Sequence, residues 1–140
     1  MRDLKGFLSE RFGITDGFWE GLRLSVHNRE AWVSTREVAE LDAPVLRRGI
    51  MLARKTSDSW KLTAEGAMAI GKSARLCVIE LEESEALAFL SGQNLSGEFP
   101  WPEGQVIVRW KGFPIGVGLL RGGVVKNQLQ ASRRLPPRKR

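Results

Sequence analysis

Most enzymatic chemistry draws on residues this sequence hardly contains. Its 140 residues include one cysteine, Cys77, and one histidine, His27. A single thiol excludes an intramolecular disulfide, and a cysteine-based zinc site needs more sulfur ligands. Cys77 sits in the string Arg75-Leu-Cys-Val-Ile-Glu-Leu81, which reads as a buried strand and makes the thiol a small core hydrophobe. His27 falls beside the turn expected at Asn28-Arg29-Glu30 with no orienting neighbour in sequence, so no Ser/His/Asp set is visible. No apolar run approaches the roughly 20 residues that a membrane span needs. Met1 to Gly6 alternates charged and apolar groups and does not read as a signal peptide, so the expected location is the cytoplasm. Acidic residues are missing from the whole stretch Gly104 to Arg140, which carries nine basic ones. The first 103 residues hold 13 basic and 16 acidic groups. A mildly acidic body with a strongly basic end points to a polyanionic partner.

What is present supports a packed domain. Hydrophobic residues make up 42% and charged residues 27%, and the net charge is +6. Leu4, Phe7, Leu8 and Phe12 recur at helical spacing, which predicts a helix over 2–12 ended by Gly13. Thr15 to Gly21 reads as a short helical turn. Leu22, Leu24 and Val26 alternate with polar residues as in a strand, Asn28-Arg29-Glu30 makes a turn, and Ala31 to Val33 returns. Ser34 with Glu37 fits a capping box and predicts a short helix through Leu41. Arg48 to Lys55 and Ser59 to Leu62 form a hairpin around Ser57-Asp58. Thr63 to Gly71 reads as a helix with Thr63 as cap. A boundary is expected near Lys72-Ser73. Beyond it come a strand at 76–81, a helix at 84–90 facing inward through Ala86, Leu87 and Leu90, and three strands at 105–111, 115–120 and 124–126. The mixture lacks βαβ regularity, so the fold class is α+β or a small, strongly bent barrel.

The C-terminal strands carry the candidate chemistry. On strict alternation Arg109 and Lys111 share one face of the strand 105–111, and Trp110 faces the other way. That face is either an ordinary solvated one or a phosphate-contacting edge. Gly116 and Gly118 lie two apart in a strand, where glycine marks a sharp bend or a close backbone approach. A tight barrel corner and an RNA backbone lying on exposed peptides both fit. Gly116-Val-Gly118 lacks the third glycine of a dinucleotide loop and sits in a strand context. Lys126-Asn127-Gln128 and Arg133-Arg134 combine phosphate-binding cations with amides able to bond bases or riboses. The other reading is a basic tail that only solubilises. Glu80, Glu82, Glu83 and Glu85 read as a solvated acidic face, and Arg47-Arg48 and Arg54-Lys55 either extend the basic surface or pair with nearby acids.

The string Val108-Arg-Trp-Lys-Gly-Phe-Pro-Ile-Gly-Val-Gly118, followed by Gly122-Gly123-Val-Val-Lys126-Asn127 and Arg133-Arg134, resembles the PUA-like RNA-binding domain. The form it is most similar to is the one at the C-terminus of Sun-type RNA cytosine-5 methyltransferases. The likeness covers roughly Arg75 to Leu135. Glu10-Arg-Phe-Gly-Ile14 and the strands after it resemble the pre-PUA region of ribosome-biogenesis factors. The resemblance implies a PUA-like mixed-β pseudobarrel at 73–135 behind a pre-PUA-like α+β domain at 1–72, with a basic tail at 136–140. It implies that Arg109, Lys111, Lys126, Asn127, Gln128, Arg133 and Arg134 lie near RNA. The methyltransferase domains usually follow Lys-Asn with His-Tyr-Pro-Lys-Gly, whereas Gln128-Leu-Gln-Ala-Ser132 stands here. Those enzymes also use a pair of cysteines and a Rossmann-like cofactor domain, which one cysteine in 140 residues does not supply.

The expectation is a stand-alone, non-catalytic protein that binds structured rRNA or tRNA during ribosome biogenesis or RNA modification, without cofactor, metal or membrane. Its further partner would be an RNA-modifying enzyme or a ribosome-assembly protein. The alternative is an accessory subunit of a methyltransferase or assembly complex, docked through exposed members of Trp19, Trp32, Trp60 and Trp101.

Overall fold

A computed structural model describes residues 3–35, 49–129 and 134–135. The chain folds as α+β, with two sheets, three short helices and a 3-10 turn in the described residues. Helix α1 (Leu4–Phe12) starts where the Asp3 carboxylate accepts from the Gly6 N–H and stops at Gly13 in the left-handed region. Its Leu4, Leu8 and Phe12 are buried, as the helical spacing predicts. The 3-10 turn Asp16–Trp19 follows and leads into strand β1 (Leu22–His27). Strands β2 (Glu30–Thr35), β3 (Ile50–Lys55) and β4 (Trp60–Leu62) complete an antiparallel sheet in the order β1-β2-β3-β4. The β3–β4 turn is closed by Thr56 N–H donating to the Ser59 carbonyl at 2.8 Å. Strand β2 runs on through Thr35, so Ser34 pairs with Arg23 in the sheet instead of capping a helix. The helix expected up to Leu41 lies outside the described residues. Helix α2 (Ala64–Ile70) begins at Thr63, whose hydroxyl accepts from Gly66 N–H.

The second sheet is mixed, in the order β5-β7-β8-β9-β6. Its strands are β5 (Val78–Leu81), β6 (Leu95–Ser96), β7 (Gly104–Trp110), β8 (Phe113–Arg121) and β9 (Val124–Asn127). Strand β5 runs parallel to β7, and helix α3 (Glu83–Leu90) lies between β5 and β6 in the chain. The start of α3 is fixed by Glu85, whose carboxylate accepts from the Glu82 N–H. Ala86 and Phe89 are its buried residues, while Leu87 and Leu90, expected to face inward, are only half-buried. Gly122 and Gly123 both have positive φ and make the two-residue turn of the β8–β9 hairpin.

Val106, Ile107 and Val108 are all 0% exposed. Both faces of β7 are covered, so a run of apolar residues replaces the expected alternation. The glycine question resolves in favour of internal packing. A Cβ at Gly116 would lie 2.7 Å from the Phe89 ring, and one at Gly118 would lie 2.4 Å from Val125 Cγ1. The absent side chains let α3 and β9 close down on β8. Full burial of a ring such as Phe89 is worth about 1.5–3 kcal/mol.

One hydrophobic cluster extends from Leu4 and Leu8 through Leu52 and Leu62 to Val106, Phe89 and Val125, and so joins both sheets. The sheets are also stitched by polar groups. The Gln105 amide accepts from Leu62 N–H at 2.7 Å and donates to the Leu62 carbonyl at 3.0 Å. It thus satisfies both backbone groups of an edge residue of β4. Arg11 at the end of α1 donates to the carbonyls of Gln105 and Pro102 at 2.9 and 2.8 Å. No helix among the described residues is long and apolar enough to cross a membrane.

Candidate nucleic-acid interface

The residues singled out in the sequence divide into those whose polar groups the fold uses and those it leaves outward. Arg109 belongs to the first set. Arg109 keeps its place in β7, opposite Glu80 of β5, while the bulge at this point falls on β8, where Ile115 is left without a partner. Its guanidinium bonds Glu80 at 2.5 Å and the carbonyls of Gly71 and Ala74 at 3.0 and 3.1 Å, with the side chain only 15% exposed. Lys111 does not continue the strand but stands in the β7–β8 turn with φ +52°. The shared face expected for Arg109 and Lys111 therefore does not form. The Lys111 ammonium rests 4.9 Å from the centre of the Trp110 ring.

Asn127 is likewise part of the framework. Its amide donates to the carbonyls of Phe89 and Gln93 at 2.7 and 3.0 Å, and its oxygen accepts from Leu129 N–H at 2.8 Å. These bonds tie β9 to the end of α3 and to the turn that follows it, where the Phe89 carbonyl also accepts from the Gly92 N–H. Arg134 donates through Nε to the Leu129 carbonyl at 2.9 Å, and Leu135 N–H bonds the Leu90 carbonyl at 2.7 Å. The chain is therefore still attached to the fold at Leu135, next to the basic tail expected at 136–140. Arg133, residues 136–140 and Arg47-Arg48 lie outside the described residues.

Lys126 and Gln128 behave differently. Gln105, Leu119 and Lys126 form a row across β7, β8 and β9, and cross-strand partners share a face. Lys126 is exposed and makes no side-chain bond with another described residue. Gln128, two residues on, accepts from Gln105 Nε2 at 3.1 Å. This face of the second sheet meets the edge of the first across an open cleft of about 400 Å³, lined among others by Phe7, Trp60, Lys61, Gln105, Leu119 and Gln128. A neighbouring hollow continues it past Arg54, Lys61, Thr63, Val117 and Gln128. Arg54 and Lys61 stand directly opposite each other in the β3–β4 hairpin. Glu30 lies opposite Arg54 on the other side. Two like charges side by side on a sheet face destabilise it unless an anion lies between them.

Lys61 and Gln105 were not read as site residues from the sequence. A signal for Lys61 existed, because Arg54 and Lys61 are equidistant from the Ser57-Asp58 turn and must face each other once the hairpin closes. Gln105 gave none, since its partner Leu62 is 43 residues away.

The tryptophans expected as protein anchors are not open. Trp19 and Trp60 are buried, Trp32 and Trp101 are half-buried, and Trp101 donates to the Val78 carbonyl at 2.9 Å. His27 is exposed at the end of β1. Burial raises the Cys77 pKa above its ordinary value, against a smaller opposing pull from Arg11, so the thiol stays protonated at neutral pH.

Comparison with known proteins agrees with this architecture. Residues 77–135, which contain all of the second sheet, match the family described as the methyltransferase RsmF PUA domain. The ribosomal RNA small subunit methyltransferase F of Aeromonas salmonicida is 33% identical over 109 residues, covering 73% of this chain and 22% of that protein. The protein of the same name from Shewanella halifaxensis is 29% identical over 132 residues, covering 92% of this chain and 26% of its own length. This chain thus spans about a quarter of the length of the relatives it matches. The mixed sheet, the β7–β8–β9 meander and the matched residues together make residues 77–135 a PUA-like domain of the kind found in Sun-type RNA methyltransferases.

Proposed function

We propose that this chain recognises structured RNA through the cleft between its two sheets. Lys126, Lys61 and Arg54 meet backbone phosphates, and Gln128 offers an amide to bases or riboses. Phosphate contacts of this kind supply affinity, while shape and a few amide contacts select among structured RNAs. The observation that carries the reading is a set of outward cations beside one cleft, Lys126 on the sheet that matches the PUA family and Arg54 and Lys61 on the first sheet. Arg54 and Lys61 repel one another, and neither they nor Lys126 makes an ion pair with another described residue. Arg109 and Asn127 are positioning residues in this reading, because their polar groups are satisfied by the protein itself. Lys111 belongs to a separate surface on the β7–β8 hairpin.

In the same proposal residues 1–72 and 73–135 present one RNA-facing unit, since the cleft takes Lys61 from the first and Gln128 from the second. The relatives are named for methylation of small-subunit rRNA. In keeping with those names, the proposed setting is rRNA maturation in the cytoplasm, with this chain binding RNA and not itself carrying out methyl transfer.

The test is a titration of the protein with a labelled small-subunit rRNA fragment and with tRNA, by fluorescence anisotropy at several salt concentrations. Affinity should fall steeply with salt, and Lys61→Glu combined with Lys126→Glu should weaken it by about a hundredfold at low salt. Affinity that ignores salt, or that survives the double charge reversal, contradicts the reading.

A further inference from the structure

The β7–β8 hairpin carries a second exposed surface, separate from the cleft. Phe113 at its tip is 56% exposed, more than any other large hydrophobic side chain among the described residues. Its neighbours are cations. The Lys72 ammonium lies 5.0 Å from the centre of the Phe113 ring, and Lys111 lies against Trp110 in the same hairpin. Lys72 is brought there by Gly71, which touches Pro114 so closely that a Cβ would stand 2.4 Å from the Pro114 ring. The acid bonded into this hairpin, Glu80, is occupied by Arg109 and by the Gly112 N–H. Its charge is therefore matched by Arg109 and not by the two lysines.

We infer that this hairpin holds an unpaired nucleotide of the bound RNA, with its base stacked on Phe113 and its phosphates met by Lys72 and Lys111. The inference rests on the RNA-binding reading above. An aromatic ring is a sequence-tolerant platform because every base has a π-face, and ammonium groups beside it match the backbone on either side. A protein contact is the weaker match, because lysine is depleted at the centre of such interfaces and two lysines border this ring. The hairpin would add a preference for bulged or single-stranded positions that the phosphate contacts of the cleft do not provide.

Two probes separate this from the cleft. One is a short single-stranded RNA carrying 2-aminopurine, whose emission changes when the base stacks; the other is a fully paired duplex of the same length. Phe113→Ala should weaken single-strand binding about tenfold and remove the emission change. It should leave duplex affinity and the melting temperature as they are, because the ring is largely exposed. Phe113→Trp should restore single-strand binding. If the wild-type protein binds both probes and Phe113→Ala changes neither affinity nor emission, the stacking site is overturned, the cleft stands, and the ring is left to a protein contact. If the wild-type protein binds neither probe at low salt, the RNA-binding reading fails and this inference with it.

Discussion

The two flanks of the second sheet handle positive charge in opposite ways. On the β5–β7 side, Arg109 is enclosed by Glu80 and by the carbonyls of Gly71 and Ala74, and its charge helps to hold the end of α2 against the sheet. On the β9 side, Lys126 points away from the buried Val125 and faces the region where Lys61 and Arg54 also stand without ion-pair partners among the described residues. Both residues come from the basic C-terminal stretch that first suggested a polyanion. The difference teaches that a count of cations overstates an interface. Charges that the fold has already satisfied add stability, and only the unsatisfied ones are available to a ligand.

The comparison can be broken most severely at Gly118. Its missing side chain is what lets β9 lie against β8, with Val125 Cγ1 at 2.4 Å and the Lys126 carbonyl at 2.9 Å from where a Cβ would be. Gly118→Val should cost about 3 kcal/mol in a urea titration and displace Lys126 as well, because the β8–β9 register cannot close. A smaller effect is expected at Asn127. Asn127→Ala removes the side-chain partner of the Gln93 carbonyl and the Leu129 N–H and one of the two donors to the Phe89 carbonyl, and should cost about 2 kcal/mol. If Asn127→Ala instead left stability unchanged and weakened RNA binding, Asn127 would belong with Lys126 and not with Arg109.

Local features of this fold were legible in the sequence, and distant pairings were not. The caps at Gly13 and Thr63, the turns at Asn28, Ser57-Asp58 and Gly122-Gly123, and the α+β class follow from short-range chemistry. Alternation failed at Val106–Val108 because a strand covered on both faces carries no polar stripe. The face expected to join Arg109 and Lys111 was lost because Lys111 leaves the strand for the turn and Arg109 bonds the Gly71 and Ala74 carbonyls. The partners that satisfy Arg109 lie 29 to 38 residues away, so nothing adjacent to it signals its engagement. Ser34 fits a helix cap by spacing, but pairing with Arg23 keeps it in a strand. On the RNA-binding proposal the described residues at the interface are Gln128 in the cleft, Lys126 on the sheet face beside it and Lys111 on the hairpin, joined by Lys61 and Arg54, which the hairpin geometry contributes; Arg133 lies outside the described residues.

The most direct test is the slope of RNA affinity against salt for Lys126→Gln beside Arg109→Gln. Removing one phosphate contact should flatten the slope by about one, with no change in melting temperature, in Lys126→Gln. Arg109→Gln should lower the melting temperature and leave the slope as in the parent. A flattened slope in Arg109→Gln with an unchanged one in Lys126→Gln would contradict the division between framework and interface charges.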